Sequence, residues 1–289
     1  MTVTARPLVC GIDFSPESRR ALAAAASLAE RLGCALHIVS AIEPLLAEAA
    51  RHRRQLDAFT AQIERDLREF TAPLGLPEDR VTFKAIAGEP TAALLSAGAS
   101  TEARMIVVGT RGRGGAARLV LGSTTLRLLR ATDRPVLVTD WTDRPASADP
   151  ALAPTISRIV CGVDFSDASL AAVKTATTLA TDIGATVTLV HAISRDAVPV
   201  GWDSLVADVE TERIADAKTR MADVARALGG SPAIEAKLGR PADVLAEATR
   251  TDPHAVIAVG IHGASSNRPG STAIRVVSAA SVPVLAVPE

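Results

Sequence analysis

Short apolar runs alternate with longer segments of helical periodicity along the first half of the chain. Such runs predict buried strands, whereas apolar residues spaced three and four apart predict amphipathic helices. The expected strands are Arg6–Ile12, Ala35–Ala41, Arg80–Ala87, Arg104–Gly109 and Pro135–Thr139. The expected helices are Pro16–Leu32, Glu48–Thr71, Pro90–Ala99 and Ser123–Thr132. This alternation is typical of a parallel sheet covered by helices.

Capping residues mark the ends of the first helix. Ser15 suits the N-cap, Pro16 the first helical position, and Gly33 the position after the last turn. The basic run Arg51–Arg54 is followed by apolar residues at helical spacing. These are Leu56, Phe59, Ile63, Leu67 and Phe70. We therefore expect the basic run to lie in the solvated start of an amphipathic helix.

The second half of the chain repeats the first at an offset of 151 residues. LVCGIDFSPES at Leu8–Ser18 lies over IVCGVDFSDAS at Ile159–Ser169, and MIVVG ending at Gly109 lies over VIAVG ending at Gly260. The helix start at Ser15 and its stop at Gly33 recur as Ser166 and Gly184. A repeat of this length indicates a duplicated domain.

The segment Trp141–Thr155 is rich in Pro, Ala and Asp and has no apolar period, which is typical of a linker. The expected organisation is a first domain at 1–140, a linker at 141–156 and a second domain at 157–289. Each domain is expected to be a doubly wound α/β unit with five parallel strands and helices on both faces. Its ligand crevice should lie at the carboxyl ends of the strands.

The strongest candidate chemistry follows the fourth strand, where Gly109 and Gly112 precede Gly122, Ser123 and Thr124. Glycine permits close backbone approach and positive φ, and a helix start offers unpaired N–H groups and partial positive charge. This combination predicts a phosphate site. Arg111 and Arg113 lie in the same loop, where they could add charge near a phosphate or face solvent.

Two further residues are expected at the same edge of the sheet. Asp13 ends the first strand and could accept hydrogen bonds from ribose or hold a metal with the phosphates. The alternative is that Asp13 only caps the helix beginning at Pro16. Ala41 ends the second strand, where its small side chain could admit a purine or simply pack.

Composition narrows the class of protein. The formal net charge of -1 and the pI near 6.5 argue against a general nucleic-acid binder. No run approaches the roughly 18 apolar residues of a membrane span, and the N-terminus lacks a signal-peptide pattern, so a cytoplasmic location is expected. Cys10, Cys34 and Cys161 lie in apolar runs without a CxxC pair, which favours structural burial.

Other phosphate motifs fit poorly. No GxxxxGK[ST] sequence occurs, which excludes a P-loop. Gly112, Gly114 and Ala117 match the spacing of a dinucleotide fingerprint, but they follow a fourth strand instead of opening the first βα turn.

The chain resembles a tandem universal stress protein over about residues 4–140 and 157–288. The family motif is an Asp after strand one and a loop Gly-x2-Gly-x9-Gly-[Ser/Thr], which Asp13, Gly109, Gly112, Gly122 and Ser123 match. The resemblance implies strand order 3-2-1-4-5 and ATP bound at the strand ends, with or without Mg²⁺ held through Asp13. It also implies pairing of the domains through their fifth strands, here within one chain, with a further homodimer possible.

Carried over to this sequence, the family's ATP site assigns the phosphates to Gly109, Gly112, Gly122, Ser123 and Thr124. Asp13 would face the ribose or an accompanying metal. Ala41 would face the adenine. The corresponding positions in the second domain are Asp164, Ala192, Gly260, Gly263, Gly270, Ser271 and Thr272.

The second glycine loop departs from the first. Six residues separate Gly263 from Gly270, where the first domain has nine, and Pro269 removes a donor before Gly270. Losing one charge-assisted contact of ~1.5–3 kcal/mol would weaken binding by roughly ten- to a hundredfold. The first domain is therefore expected to be the main ATP site, and the second a weaker site, a site for a smaller ligand, or a folded partner.

Enzymatic chemistry has little support in the sequence. His262 lies in the second loop, where it could touch a phosphate or face solvent, but no catalytic triad order, HExxH or nucleophile elbow occurs. The leading hypothesis is an ATP-binding regulator of a stress response. A scaffold without nucleotide and a slow ATPase are the alternatives.

Overall fold

Each half of the chain folds into its own α/β unit in the computed structural model. The units are Met1–Thr155 and Ile156–Glu289. The structure describes residues 5–110, 121–139, 155–194, 203–229, 231–261 and 271–289.

The first unit is built on five strands in the order β3-β2-β1-β4-β5, and each of its four strand pairs is parallel. Its strands are β1 (Leu8–Gly11), β2 (Leu36–Ile42), β3 (Val81–Ala87), β4 (Met105–Gly109) and β5 (Val136–Thr139). Its α-helices are α1 (Pro16–Leu32), α2 (Pro44–His52), α3 (Leu56–Thr71), α4 (Pro90–Ser100) and α5 (Ser123–Ala131). The doubly wound fold and its strand order are thus confirmed.

The second unit repeats this arrangement as β8-β7-β6-β9-β10, again with parallel pairs. Its strands are β6 (Arg158–Gly162), β7 (Thr186–Ile193), β8 (Ala233–Leu238), β9 (Ala255–Gly260) and β10 (Val284–Val287). Its helices are α6 (Asp167–Ile183), α7 (Asp203–Ala227), α8 (Pro241–Thr249) and α9 (Ser271–Ala279).

The helix caps follow the prediction. Ser15 accepts a hydrogen bond from the Ser18 N–H, and Ser166 accepts one from the Ser169 N–H. Gly33 and Gly184 end their helices in the left-handed conformation. These repeated caps fix the length of α1 and of its counterpart α6.

The prediction of a single helix at Glu48–Thr71 is wrong, because two helices, α2 and α3, occupy this region. Arg54 has φ of 55°, which interrupts the helical backbone, and the Gln55 N–H donates to the Ala50 carbonyl as α2 ends. The basic run is exposed as expected, but it ends α2 instead of starting α3.

The core lies along the central strands. Leu8, Val9, Met105, Ile106 and Val107 are essentially inaccessible to solvent. The three cysteines are buried as predicted, and burial raises the pKa of the Cys161 thiol to about 12. Because β1 pairs with both β2 and β4, the strand order reverses beside β1, which is where doubly wound sheets place a crevice.

Candidate functional site

A cleft of about 1370 Å³ opens at the carboxyl ends of the strands in the first unit. It brings together six of the residues predicted from sequence. These are Asp13, Ala41, Gly109, Gly122, Ser123 and Thr124. They come from the ends of three strands and the start of α5, so the parallel topology alone accounts for their convergence.

Asp13 is tied to the start of α1. Its carboxylate accepts hydrogen bonds from both the N–H and the hydroxyl of Ser15, which is itself the N-cap. Asp13 therefore does not take the N-cap position; it orients the residue that does. The next residue, Phe14, has φ of 64°, an uncommon conformation for a bulky side chain, and Phe165 repeats it with φ of 63°. Such strain is concentrated at functional sites.

The glycine at the end of β4 has a packing role. A Cβ on Gly109 would lie 3.0 Å from the carbonyl carbon of Glu17 in α1. In the second unit, a Cβ on Gly260 would lie 2.6 Å from the carbonyl carbon of Ala168. The close approach of α1 to β4 and of α6 to β9 is a sufficient reason for glycine at both positions, whether or not a ligand binds.

The backbone N–H groups at the start of α5 differ in whether a backbone carbonyl already accepts from them. The Gly122 N–H donates to the Thr110 carbonyl at 2.8 Å and is already used. The first helical bond runs from the Leu126 N–H to the Gly122 carbonyl, so the N–H groups of residues 123–125 precede the helical ladder. Ser123 and Thr124 carry two of these groups in the cleft lining.

Thr125 is a residue that sequence reasoning missed. Its buried hydroxyl donates a 2.9 Å hydrogen bond to the Gly109 carbonyl, which joins the start of α5 to the end of β4. The repeat places Ala273 at this position of the second unit. The only sequence signal was a third hydroxyl residue after Gly122.

An apolar wall on α3 was also missed. Phe59, Ile63 and Phe70 belong to the helical pattern that predicted a core face, yet they line the cleft and are only half-buried, whereas Leu67 is fully buried. Phe70 meets Phe14 edge to face, with ring centroids 5.4 Å apart. We call Phe59, Ile63, Asp66 and Phe70 the α3 wall.

The cleft of the first unit is acidic. Asp13, Glu43, Asp66 and Glu69 line it, and no lysine or arginine does so within the described part of the chain. No group of three or more His, Cys, Asp or Glu side chains in the described ranges could hold a metal ion. A phosphate bound here would thus need neutralising charge from outside these lining residues.

The second unit has a smaller cleft of about 500 Å³. Of the residues predicted for the second site, Ala192 lines this cleft, whereas Asp164, Gly260 and Thr272 do not. Ser271 begins α9. Arg213 and Arg220 of α7 contribute charge, and the Arg220 guanidinium lies 3.8 Å from the centroid of the Phe165 ring. The two clefts therefore differ in size and in the chemistry of their helical wall.

Two residues near the carboxyl ends of β6 and β7, Asp164 and His191, are held by neighbouring groups, and of the two His191 lines the second cleft. The His191 ring lies 4.9 Å from the Phe165 ring, and its Nδ1 is 2.6 Å from the Val163 carbonyl. Because a carbonyl only accepts, Nδ1 donates this hydrogen bond. Burial alone would raise the pKa of Asp164, but hydrogen bonds from Ser166 hold that pKa below its usual value.

Several predicted residues lie outside the described residues. They are Arg111, Gly112, Arg113, Gly263, Gly270 and His262, together with the linker up to residue 154. Within the described ranges, no helix is long and apolar enough to cross a membrane.

Comparison with known proteins agrees with this architecture. The model of the universal stress protein family matches residues 4–140 and 155–288. A universal stress protein of Mycobacterium tuberculosis is 27% identical over 309 residues, covering 96% of this chain and 93% of its own. A universal stress protein from Archaeoglobus fulgidus has a similar structure, with a TM-score of 0.68 at 18% identity and 98% coverage of both chains. One from Thermus aquaticus is 29% identical over 141 residues, which are 46% of this chain and 97% of its own.

Fold and site together define a pair of doubly wound α/β units, each with a cleft at the carboxyl ends of its strands. The chain belongs to the universal stress protein family, with two tandem domains of that family.

Proposed function

We propose that the protein binds ATP in the cleft of the first domain and acts as a nucleotide-dependent regulator of a cytoplasmic stress response. One observation carries the proposal: six residues predicted independently from the sequence line a single cleft. At about 1370 Å³, that cleft exceeds the ~300–1,000 Å³ typical of small-molecule sites. The N–H groups at the start of α5 suit phosphate, and Asp13 and Ala41 suit ribose and adenine.

The second domain is proposed to bind ATP weakly or not at all. Its cleft of about 500 Å³ is not lined by Asp164, Gly260 or Thr272, which the family pattern assigns to the nucleotide. The shortened loop between Gly263 and Gly270 supports the same asymmetry.

Nucleotide content tests this proposal directly. The purified full chain is denatured, and the released adenine nucleotide is counted per chain after saturation with ATP and removal of the excess. We expect about one per chain. Two per chain would contradict the asymmetry, and none would favour a scaffold without nucleotide.

A variant of the glycine loop localises the site. Gly122→Val keeps a backbone of φ -58° that any residue adopts, while its side chain would obstruct a phosphate at the start of α5. We expect ATP binding to be lost and the thermal unfolding midpoint to be kept. Unchanged ATP affinity would remove this loop from the site.

Pairing of the two domains through their fifth strands, β5 and β10, belongs to the same proposal. Such pairing would satisfy the backbone groups along both strands. It predicts slow amide exchange at Val136–Thr139 and Val284–Val287 in the full chain. Light scattering would test whether a further homodimer forms.

A further inference from the structure

The α3 wall places partly exposed aromatic and aliphatic side chains, together with Asp66, in the lining of the first cleft. Phe59, Ile63, Asp66 and Phe70 recur at helical spacing, so they share one face over roughly 16 Å of helix. Leu46 of α2 lines the same cleft and is 49% exposed. Aromatic and aliphatic side chains lining a concave site with a few polar groups are typical of a ligand pocket.

The carboxylates of the first cleft indicate which class of ligand would bind beside the α3 wall. Glu43, Asp66 and Glu69 line the cleft beside the aromatic rings. Asp66 accepts a 2.7 Å hydrogen bond from the side-chain amide of Gln62. A cleft lined by one sign of charge concentrates counter-ions. An anion without a bound counter-ion would be repelled, and a neutral apolar ligand would desolvate the carboxylates without compensation.

The duplicated helix provides an internal comparison. The second cleft is lined by Val209, Arg213, Asp216 and Arg220, each 150 residues after a member of the α3 wall. Arginines thus replace Ile63 and Phe70, and Arg220 stacks on Phe165 at the position where Phe70 meets Phe14. The second unit thus supplies a guanidinium from the lining of its own cleft, whereas the described lining of the first cleft contains no arginine.

Aromatic rings in this protein already attract cations. The Arg19 guanidinium, which does not line the cleft, lies 3.8 Å from the centroid of Phe70, and Arg68 lies 4.6 Å from that of Phe83. Attraction between a cation and a ring grows when the cation is desolvated, as in a cleft.

We propose that the α3 wall binds a small organic cation, an ammonium group carried on an aromatic or alkyl body. The ammonium group lies against Phe59 and Phe70 and is balanced by Asp66 and Glu69, while its apolar body covers Ile63 and Leu46. The cation site shares the first cleft with the proposed ATP site but uses side chains of α2 and α3 that the ATP proposal does not use, so it does not rest on that proposal.

The test uses the nucleotide-free full chain and three soluble probes of similar size. Benzyltrimethylammonium is the cation, benzyl alcohol the neutral probe and benzoate the anion, and binding is measured by calorimetry and ligand-observed NMR. We expect the cation to bind at least ten times more tightly than either other probe, with an affinity that falls as NaCl is raised. Equal binding of cation and benzyl alcohol would overturn the proposal.

Matched variants place the probe on α3. Asp66→Asn should weaken binding of the cation about five- to thirtyfold, whereas Asp216→Asn at the matching position of the second unit should leave it unchanged. Phe70→Arg, which introduces the residue type found at Arg220, should abolish binding. If Phe70→Arg fails to fold, Asp66→Asn remains a sufficient test of the proposal. The Asp66 side chain is only half-buried, so its replacement should leave the fold intact. An unchanged affinity in Asp66→Asn overturns the assignment.

Two further measurements distinguish the cation site from the ATP site and from an interface between copies of the chain. Gly122→Val should keep its affinity for the cation while losing ATP, so that failure of one proposal is distinguishable from failure of the other. If light scattering shows a dimer that Phe59→Ala dissociates, the wall is an interface between copies and the cation site is overturned.

Discussion

The hydroxyl of Thr125 donates a 2.9 Å hydrogen bond to the carbonyl of Gly109, sixteen residues earlier in the chain. This buried bond joins the two ends of the glycine loop, one at the end of β4 and the other in the first turn of α5. The loop is therefore anchored at both ends by residues that the structure describes.

Thr125→Ala should destabilise the first unit. The change leaves the Gly109 carbonyl without its side-chain donor in a buried setting, at a cost of about 1–3 kcal/mol in the free energy of unfolding. Urea denaturation measures the loss. Thr178→Ala is the control, because Thr178 is exposed and its hydroxyl donates to the Lys174 carbonyl within the same helix. Equal effects of the two substitutions would contradict the anchoring role.

Gly109→Ala and Gly260→Ala should both destabilise, and Gly260→Ala should do so more. The added Cβ would lie 3.0 Å from Glu17 in the first case and 2.6 Å from Ala168 in the second, in both cases against backbone. Overpacking of this kind costs about 1–3 kcal/mol. Thermal unfolding followed by circular dichroism gives the ranking. If Gly109→Ala were the more destabilising variant, movement of α1 or α6 away from the added Cβ, and not the distances in the structure, would determine the cost.

ATP binding should depend on Mg²⁺. The described lining of the first cleft carries four carboxylates, Asp13, Glu43, Asp66 and Glu69, and no lysine or arginine, so the triphosphate needs a counter-ion. We expect the Kd for ATP to rise at least tenfold when EDTA replaces Mg²⁺, about 1.4 kcal/mol. Calorimetry measures the change, and adenosine, which lacks phosphate, is the control. Equal affinity for ATP in EDTA would assign the neutralising charge to the protein itself.

Stability should fall with acidification through the titration of His37. Burial and then the charge of Lys84 lower the pKa of His37 below its usual 6.5. Because the unfolded chain binds its proton first, this contribution is complete above pH 6.5 and is lost as the pH falls through the folded-state pKa. Urea titrations between pH 5 and 8 should show a weaker pH dependence in His37→Gln. His52→Gln, at an exposed position, controls for removing a histidine.

The helical pattern of α3 shows how far sequence could predict the site. Its apolar positions predicted one buried face, and Leu67 is indeed fully buried. Phe59, Ile63 and Phe70 instead line the cleft. A core face and a ligand-facing wall are both apolar at the same spacing, so periodicity alone cannot distinguish them.

The helix break at Arg54 was missed for a related reason. A positive φ at a residue other than glycine leaves no compositional mark, and the surrounding residues are good helix formers. By contrast, Gly88 and Gly239 have φ of 147° and 148°, and the sequence marks both turns with Gly-x-Pro.

The sequence by itself determined the duplicated α/β fold, the helix caps and the set of residues that end strands at one edge. Those features are local, or follow from the rule that parallel strands share their carboxyl edge. Only the tertiary structure decided that the close approach of α1 leaves no room for a side chain at Gly109, and that Thr125 anchors α5. It also decided that aromatic side chains of α3 line the same cleft as four carboxylates. Each of these depends on the distance between elements far apart in the chain, which no local pattern encodes.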